Sequence, residues 1–270
     1  MPGFAVDKSI VPAGQERRQQ RRRPAAVAAA VLFCVAGLAA LAVLNACCWR
    51  AGRWWPGASL GLGLGSSHHS VASDKVLVEL FVMSRCPDAV KMETVLGSVI
   101  PEVHSIVDLE LKFIGTLDPN RTLGARCLHG DKECQGNIDE LCALAHSGGD
   151  LPAFWRFLTC LNGHFKSIGE DADLSLGCAS SAGLDTAAFA TCTTSKEGRA
   201  LLQQSVENSQ FAGVNTSATL FVAGNRRCVE DGGWRECPGG HEPDDFIRDI
   251  CAAYRGSRPR PSICAQYPRN

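Results

Sequence analysis

Eleven cysteines fall between positions 86 and 264 of this 270-residue chain, and they follow an uncharged apolar run at residues 25–48, AAVAAAVLFCVAGLAALAVLNACC. Arg17, Arg18, Arg21, Arg22 and Arg23 stand just ahead of that run. About 20 apolar residues in helical form span a hydrocarbon layer, and arginines on the N-terminal flank keep that flank in the cytosol while the rest of the chain crosses. The pattern predicts a signal-anchor over 25–48. A cleaved signal peptide competes with it, since such peptides also begin with a basic stretch, but their apolar core usually runs to about 7–15 residues. Either way the C-terminal bulk meets an oxidising lumen or the extracellular space, where cysteines pair. An odd number leaves at least one thiol free or intermolecular, and the partners of the other ten cannot be read from spacing.

The formal net charge of −1 gives no global attraction to nucleic acid. The basic run belongs to the membrane flank, so the partners expected are the membrane, through residues 25–48, and whatever the lumenal domain engages. Two N-x-S/T sequons, Asn120-Arg-Thr122 and Asn215-Thr-Ser217, agree with that compartment and mark Asn120 and Asn215 as glycosylation sites.

The chain divides into a basic cytosolic tail (1–24), the anchor (25–48), a flexible linker (49–74), a folded domain (75–255) and a Pro- and Arg-rich tail (256–270). The linker is rich in Gly, Ser and Trp. His68 and His69 lie within it, and two adjacent histidines in a tether read as solvated chain rather than a metal site. In the domain, Val76 to Val82 is a short apolar run suited to a strand buried on both faces. Pro87 fits a first helical turn, and Val90, Val95, Leu96 and Val99 continue at helical spacing. Val107, Leu109, Leu111 and Phe113 then alternate with Asp108, Glu110 and Lys112, a period-two strand. Residues 136–210 are helical in pattern, with Ile138, Leu141, Cys142 and Ala145 on one face and Phe154, Trp155 and Leu158 repeating it. Asp185 and Ser195 are candidate N-caps. Thr219 to Val222, a Gly224-Asn225 turn and a return strand from Arg226 lead into a last helix over 244–254. The order β-α-β, helical insertion, β-β-α is that of an α/β thioredoxin-like fold, here preceded by one transmembrane helix.

In that fold the reactive cysteine follows the first strand, and Cys86 stands there. A nucleophilic sulfur must be a thiolate, which a helix N-terminus stabilises through unpaired N–H groups and its positive dipole end. Cys86 is therefore the candidate nucleophile, with Arg85 favouring the thiolate, Pro87 setting the helix start and Asp88 opposing by its charge. The bland alternatives are a small apolar residue packed at a strand end, or a cysteine paired elsewhere.

A second constellation is Cys127-Leu-His129-Gly130-Asp-Lys-Glu133-Cys134-Gln-Gly-Asn137-Ile-Asp-Glu-Leu-Cys142. From residue types alone it allows zinc or a disulfide-laced loop entering a helix, and the oxidising compartment favours the loop. The spacing C-x-H-G-x-x-E-C-x-x-N-x-x-x-x-C resembles the motif of the gamma-interferon-inducible lysosomal thiol reductases, with Leu128 where that family commonly has glutamine. The resemblance covers about residues 75–255 and extends to Asp231-Gly-Gly-Trp-Arg-Glu-Cys-Pro-Gly-Gly240. It implies a thioredoxin-like fold, a lumenal or secreted location, glycosylation, and reduction of protein disulfides, often at acid pH.

Two departures alter what the resemblance implies. The family's working site is usually Cys-x-x-Cys, and position 89 is Ala; some relatives place a cysteine three residues further on, where this chain has Met92. The stretch Thr216-Ser-Ala-Thr219, where thioredoxin-like proteins usually place a cis-proline, has no proline. The expectation is a monothiol exchanger on protein disulfides, with no resident cofactor or metal and with glutathione as external thiol. A redox-inactive, membrane-tethered binding module competes, as does a surface protein dimerised through Cys86. The location expected is the endomembrane system, lysosome or vacuole, or the cell surface, with secretion if the apolar run is cleaved.

Overall fold

The computed structural model describes residues 74–268. The cytosolic tail, the anchor and nearly all of the linker predicted above lie outside the described residues, among which no helix is long and apolar enough to cross a membrane.

Strands β1 (Val76–Val82) and β2 (Val107–Phe113) are parallel, in register from Val76↔Val107 to Val82↔Phe113. Parallel neighbours need a crossover, here supplied by α1 (Pro87–Leu96) and the short α2 (Ile100–Val103). The face that α1 buries is Ala89, Met92, Glu93 and Leu96, at i, i+3, i+4 and i+7. The valines read from the sequence, Val90 and Val95, lie at its margin, half-buried. After β2 come a two-stranded ribbon, β3 (Thr116–Leu117) with β4 (Ala125–Arg126), and five helices: α3 (Asp131–Ala145), α4 (Leu151–Asn162), α5 (Ala172–Ala182), α6 (Thr186–Thr194) and α7 (Lys196–Phe211). The chain returns through β5 (Thr219–Val222), β6 (Asn225–Glu230), the short β7 (Trp234–Arg235) and α8 (Pro243–Ala253). The main sheet has the order β2-β1-β5-β6-β7, with β5 antiparallel to β1 and to β6.

β1 sits inside the sheet, and Val78, Leu80 and Val82 are fully buried, which explains its unbroken apolar run. β2 is an edge strand whose free main-chain groups need covering. α7 does this with two serines: Ser205 Oγ accepts from Phe113 N (2.7 Å) and donates to Leu111 O (2.9 Å), while Ser209 Oγ donates to Phe113 O (2.8 Å). Asp185 and Ser195 cap α6 and α7, as their sequence positions suggest, and Asp150 and Asp171 do the same for α4 and α5.

Five disulfides cross-link the domain: Cys127–Cys134, Cys142–Cys192, Cys160–Cys178, Cys228–Cys237 and Cys251–Cys264. The second joins α3 to α6 and the third joins α4 to α5, so the insertion is bound within itself. The last fastens the Pro- and Arg-rich segment to α8, and Tyr254 Oη adds a hydrogen bond to Arg258 O (3.0 Å).

Candidate active site

The residues after β1 turn the chain into α1. Cys86 closes this turn by donating its N–H to Met83 O (2.9 Å) and stands at the N-cap with extended backbone (φ −96°, ψ 123°), while Pro87 opens the helix. No side chain caps α1, so its first-turn N–H groups and positive dipole end remain available to an anion at Cys86.

Cys86 is the one unpaired cysteine among the described residues, which removes the reading in which it is bonded elsewhere. Only 6% of the residue's surface is exposed, so the thiol is largely sheltered by the segments packed around it. Its thiol donates to Ser217 O (3.8 Å). Ser217 also faces the turn with its hydroxyl, Oγ accepting from Met83 N (3.1 Å). The Ser217–Ala218 peptide bond is cis, although Ala218 is not a proline. Ala218 and Glu230 exchange both main-chain hydrogen bonds, at 2.9 Å each, which fixes this segment to β6.

The Cys-x-His motif forms a cradle around the same turn. Gly130, the N-cap of α3, has φ 84°, a conformation that favours glycine. Glu133, fully buried in the first turn of α3, accepts from His129 N (3.2 Å) and binds His129 Nδ1, so His129 is tied to the helix start. Ser84 Oγ donates to Glu133 O (3.1 Å), and Ser84 N donates to Asn137 Oδ1 (3.0 Å). The other end of the Asn137 amide donates to Cys127 Sγ (3.6 Å). Gly136 is required by close approach, since a Cβ there would lie 2.6 Å from Ser84 Oγ and 2.3 Å from Ile168 Cγ2. Cys127 is bonded to Cys134 and Cys142 to Cys192. Their sulfurs are thus committed to each other, and the zinc alternative for this motif falls. Leu128 projects from the loop, 74% exposed.

Arg85 departs from the role read for it. Its guanidinium donates to Ile168 O (2.6 Å) and pairs with Glu170 (3.2 Å), so its partners lie in the segment before α5 and not at the thiol. Cys86 and Arg85 thus have different neighbours, Ser217 for the thiol and Ile168 with Glu170 for the guanidinium. A hydrogen bond from Lys132, with help from Arg85, holds the Glu170 carboxyl below its usual range. Pro87 is exposed and Asp88 partly so, while Ala89 (1% exposed) and Met92 lie in the core. Asn120 is exposed on the segment joining β3 and β4, and Asn215 is exposed on the segment between α7 and β5.

Behind the cradle lies a group of buried acids that sequence reading did not single out. Burial raises Glu93 to about 7, against a hydrogen bond from Asn162 that lowers it. Burial likewise raises Asp139 to about 6, opposed by hydrogen bonds from Ser175 and Gln135. Glu140 is raised well above the ordinary carboxylate range by burial and then by the charges of Glu93, Asp139 and Glu133. Both of its carboxyl oxygens lack a partner among the described residues. Ser84, Gly136, Ile168 and Ser217 also escaped sequence reading. Gly136 alone carried a signal, because a glycine inside a helical pattern costs about 1 kcal/mol and so marks a close approach.

Asn137→Ala leaves the Ser84 N–H buried without an acceptor. The expected cost is about 1–3 kcal/mol in urea unfolding, with faster hydrogen exchange at Ser84. Unchanged exchange at that amide would show that the cradle does not hold the turn.

A parallel β-α-β unit, an antiparallel hairpin beside it and a closing helix, with one thiol at the tip of the first helix, define a thioredoxin-like protein. Residues 77–182 match the family described as Gamma interferon inducible lysosomal thiol reductase (GILT). The Arabidopsis thaliana protein described as "Gamma-interferon-responsive lysosomal thiol protein" is 25% identical over 194 residues, covering 71% of this chain and 76% of that one. Over residues 77–182 the chain is thus similar to the gamma interferon inducible lysosomal thiol reductase family, with Ala89 where a Cys-x-x-Cys site would place its second cysteine. Among solved structures, reduced DsbA1 from Neisseria meningitidis is similar at TM-score 0.43 and 16% identity, covering 66% of this chain and 83% of that one. A putative protein disulfide isomerase from Nitrosomonas europaea is similar at TM-score 0.45 and 11% identity, over 65% of this chain and 95% of that one.

Proposed function

We propose that the domain is a thiol–disulfide oxidoreductase that acts on protein disulfides through Cys86 alone. The observation that carries this reading is the pairing of every other cysteine among the described residues, which leaves one thiol at the N-terminus of α1. The similarity to the thiol reductase family over residues 77–182 supports it. In the proposed cycle the Cys86 thiolate attacks a substrate disulfide R–S–S–R′, forming Cys86–S–S–R and releasing R′ as its thiolate. Glutathione thiolate then attacks the Cys86 sulfur, releasing R and leaving Cys86 joined to glutathione. A second glutathione attacks the glutathione sulfur of that bond, giving oxidised glutathione and the Cys86 thiolate. In sum, one disulfide and two glutathiones become two substrate thiols and one oxidised glutathione.

The proposed setting is an oxidising lumen behind a single-pass anchor at residues 25–48. The five disulfides support the compartment, and the anchor rests on its apolar run and arginine flank. A second reading, a redox-inactive binding module tethered to the membrane, draws on the 6% exposure of Cys86 and on Ala89.

The two readings separate in insulin-disulfide reduction and in alkylation of Cys86 followed by mass spectrometry. The oxidoreductase should reduce insulin only with glutathione present, lose that activity in Cys86→Ala, and take up iodoacetamide at Cys86 at pH 7 without denaturant. Equal activity in the variant, or a thiol that stays unlabelled at both pH 5 and pH 7, leaves the binding module standing.

A further inference from the structure

The sequon at Asn215 and the thiol site share a residue. Ser217, third in Asn215-Thr216-Ser217, holds the Cys86 turn with both of its oxygens: its carbonyl accepts from Cys86 Sγ (3.8 Å) and its hydroxyl from Met83 N (3.1 Å). Asn215 is exposed only two residues upstream. Two residues reach at most about 7 Å along the chain, so a group carried on Asn215 starts within that reach of the residue whose carbonyl meets the Cys86 thiol. The Asn215 Oδ1 accepts from Thr216 Oγ1 (3.4 Å), and Nδ2, the atom a sugar would occupy, donates to nothing among the described residues. In the folded domain the Ser217 hydroxyl is engaged and the residue is 5% exposed. The sequon is therefore open to modification on the unfolded chain, and folding then places the sugar at the site.

We propose that an N-linked glycan on Asn215 forms a collar at the mouth of the Cys86 site. It admits small thiols, small disulfides, proteins as small as insulin and extended unfolded segments, and it excludes disulfides held in large folded proteins. The inference rests on the reading of Cys86 as an exchanging thiol and narrows its substrate class. An N-linked glycan is bulky and solvated, and a cysteine with 6% of its surface exposed leaves it little area to cover. The other sequon provides the comparison. Asn120 lies on the segment between β3 and β4, which is joined to α3 by the Arg121–Asp131 pair (2.8 Å) and makes no hydrogen bond or ion pair to residues 83–86.

The test uses the full chain made in a glycosylating host, with labelling read at the peptide that carries Cys86. Alkylation by iodoacetamide and by a polymer-linked maleimide is timed on the native protein, after endoglycosidase trimming of the folded protein, and in Asn215→Gln and Asn120→Gln. Loss of the Asn215 glycan should raise the polymer-linked reagent's rate on the order of ten-fold. The iodoacetamide rate should stay level, and Asn120→Gln should behave as wild type. The collar is overturned if peptide mass shows Asn215 unmodified, if both reagents respond alike, or if Asn120→Gln has the same effect as Asn215→Gln. A Cys86 that iodoacetamide cannot label in any form overturns the thiol-exchange reading itself, a result distinct from all of these.

Discussion

Ala89→Cys is expected to turn the proposed glutathione-dependent exchanger into one that resolves its own intermediates. Position 89 lies three residues beyond Cys86, in the first turn of α1, and is 1% exposed, so a thiol there would be presented to the Cys86 sulfur and shielded from solvent. In the native chain the mixed disulfide must wait for a thiol from solution. An internal thiol acts at an effective concentration far above that of dilute glutathione, so insulin reduction at sub-millimolar glutathione should rise by at least about ten-fold. The mixed disulfide between Cys86 and substrate, expected on non-reducing gels of the native protein, should fade in parallel. One added heavy atom in a packed site costs about 1–3 kcal/mol, so Ala89→Ser serves as the size control and the melting temperature is read beside the rate. An unchanged rate with a persistent mixed disulfide in a folded Ala89→Cys protein would mean that release does not limit turnover.

The second large effect is thermal. Glu93, Asp139 and Glu140 all have carboxyl groups raised by burial, Glu93 to about 7 and Asp139 to about 6. The folded state therefore holds protons that the unfolded chain gives up at ordinary carboxylate values. The stabilisation is fully present below the unfolded values, at about pH 4, and is lost as the pH rises through about 6 and then about 7. For Glu93 alone the displacement corresponds to about 3 kcal/mol between the limits, which in a domain of this size is roughly 10 °C of melting temperature. Calorimetry should show the midpoint falling from pH 5 to pH 7.5, and falling less in Glu140→Gln, which keeps the shape without the ionisable group. A midpoint that holds level or climbs over this range would mean that these carboxyls ionise in the folded protein at ordinary values or below, held there by partners. The expected direction suits a protein working in an acidic lumen.

Much of the fold was legible because its signals are local. β1 and β2 announce themselves by an unbroken apolar run and by strict alternation, and Pro87, Asp185 and Ser195 mark helix starts through backbone chemistry that needs no tertiary context. The buried face of α1 was read one position off, because Val90 and Val95 outweighed Ala89 and Met92 in hydropathy, and a buried Glu93 is not foreseeable from its residue type. The ribbon of β3 and β4 and the short β7 are two residues per strand, below any periodicity. At the site, the cysteine arithmetic left one thiol over. Spacing could not reveal that Arg85 turns to Ile168 and Glu170, or that Ser217 reaches Cys86 from 131 positions away, since both depend on how distant segments pack.

The family motif meets the Cys86 turn through Glu133 and Asn137, and neither residue carries the sulfur that would react. A signature made of scaffold holds the turn whether or not the thiol beside it reacts. Two chains that share this signature are thus alike in how they hold a turn, and whether either moves electrons is written at positions 86 and 89.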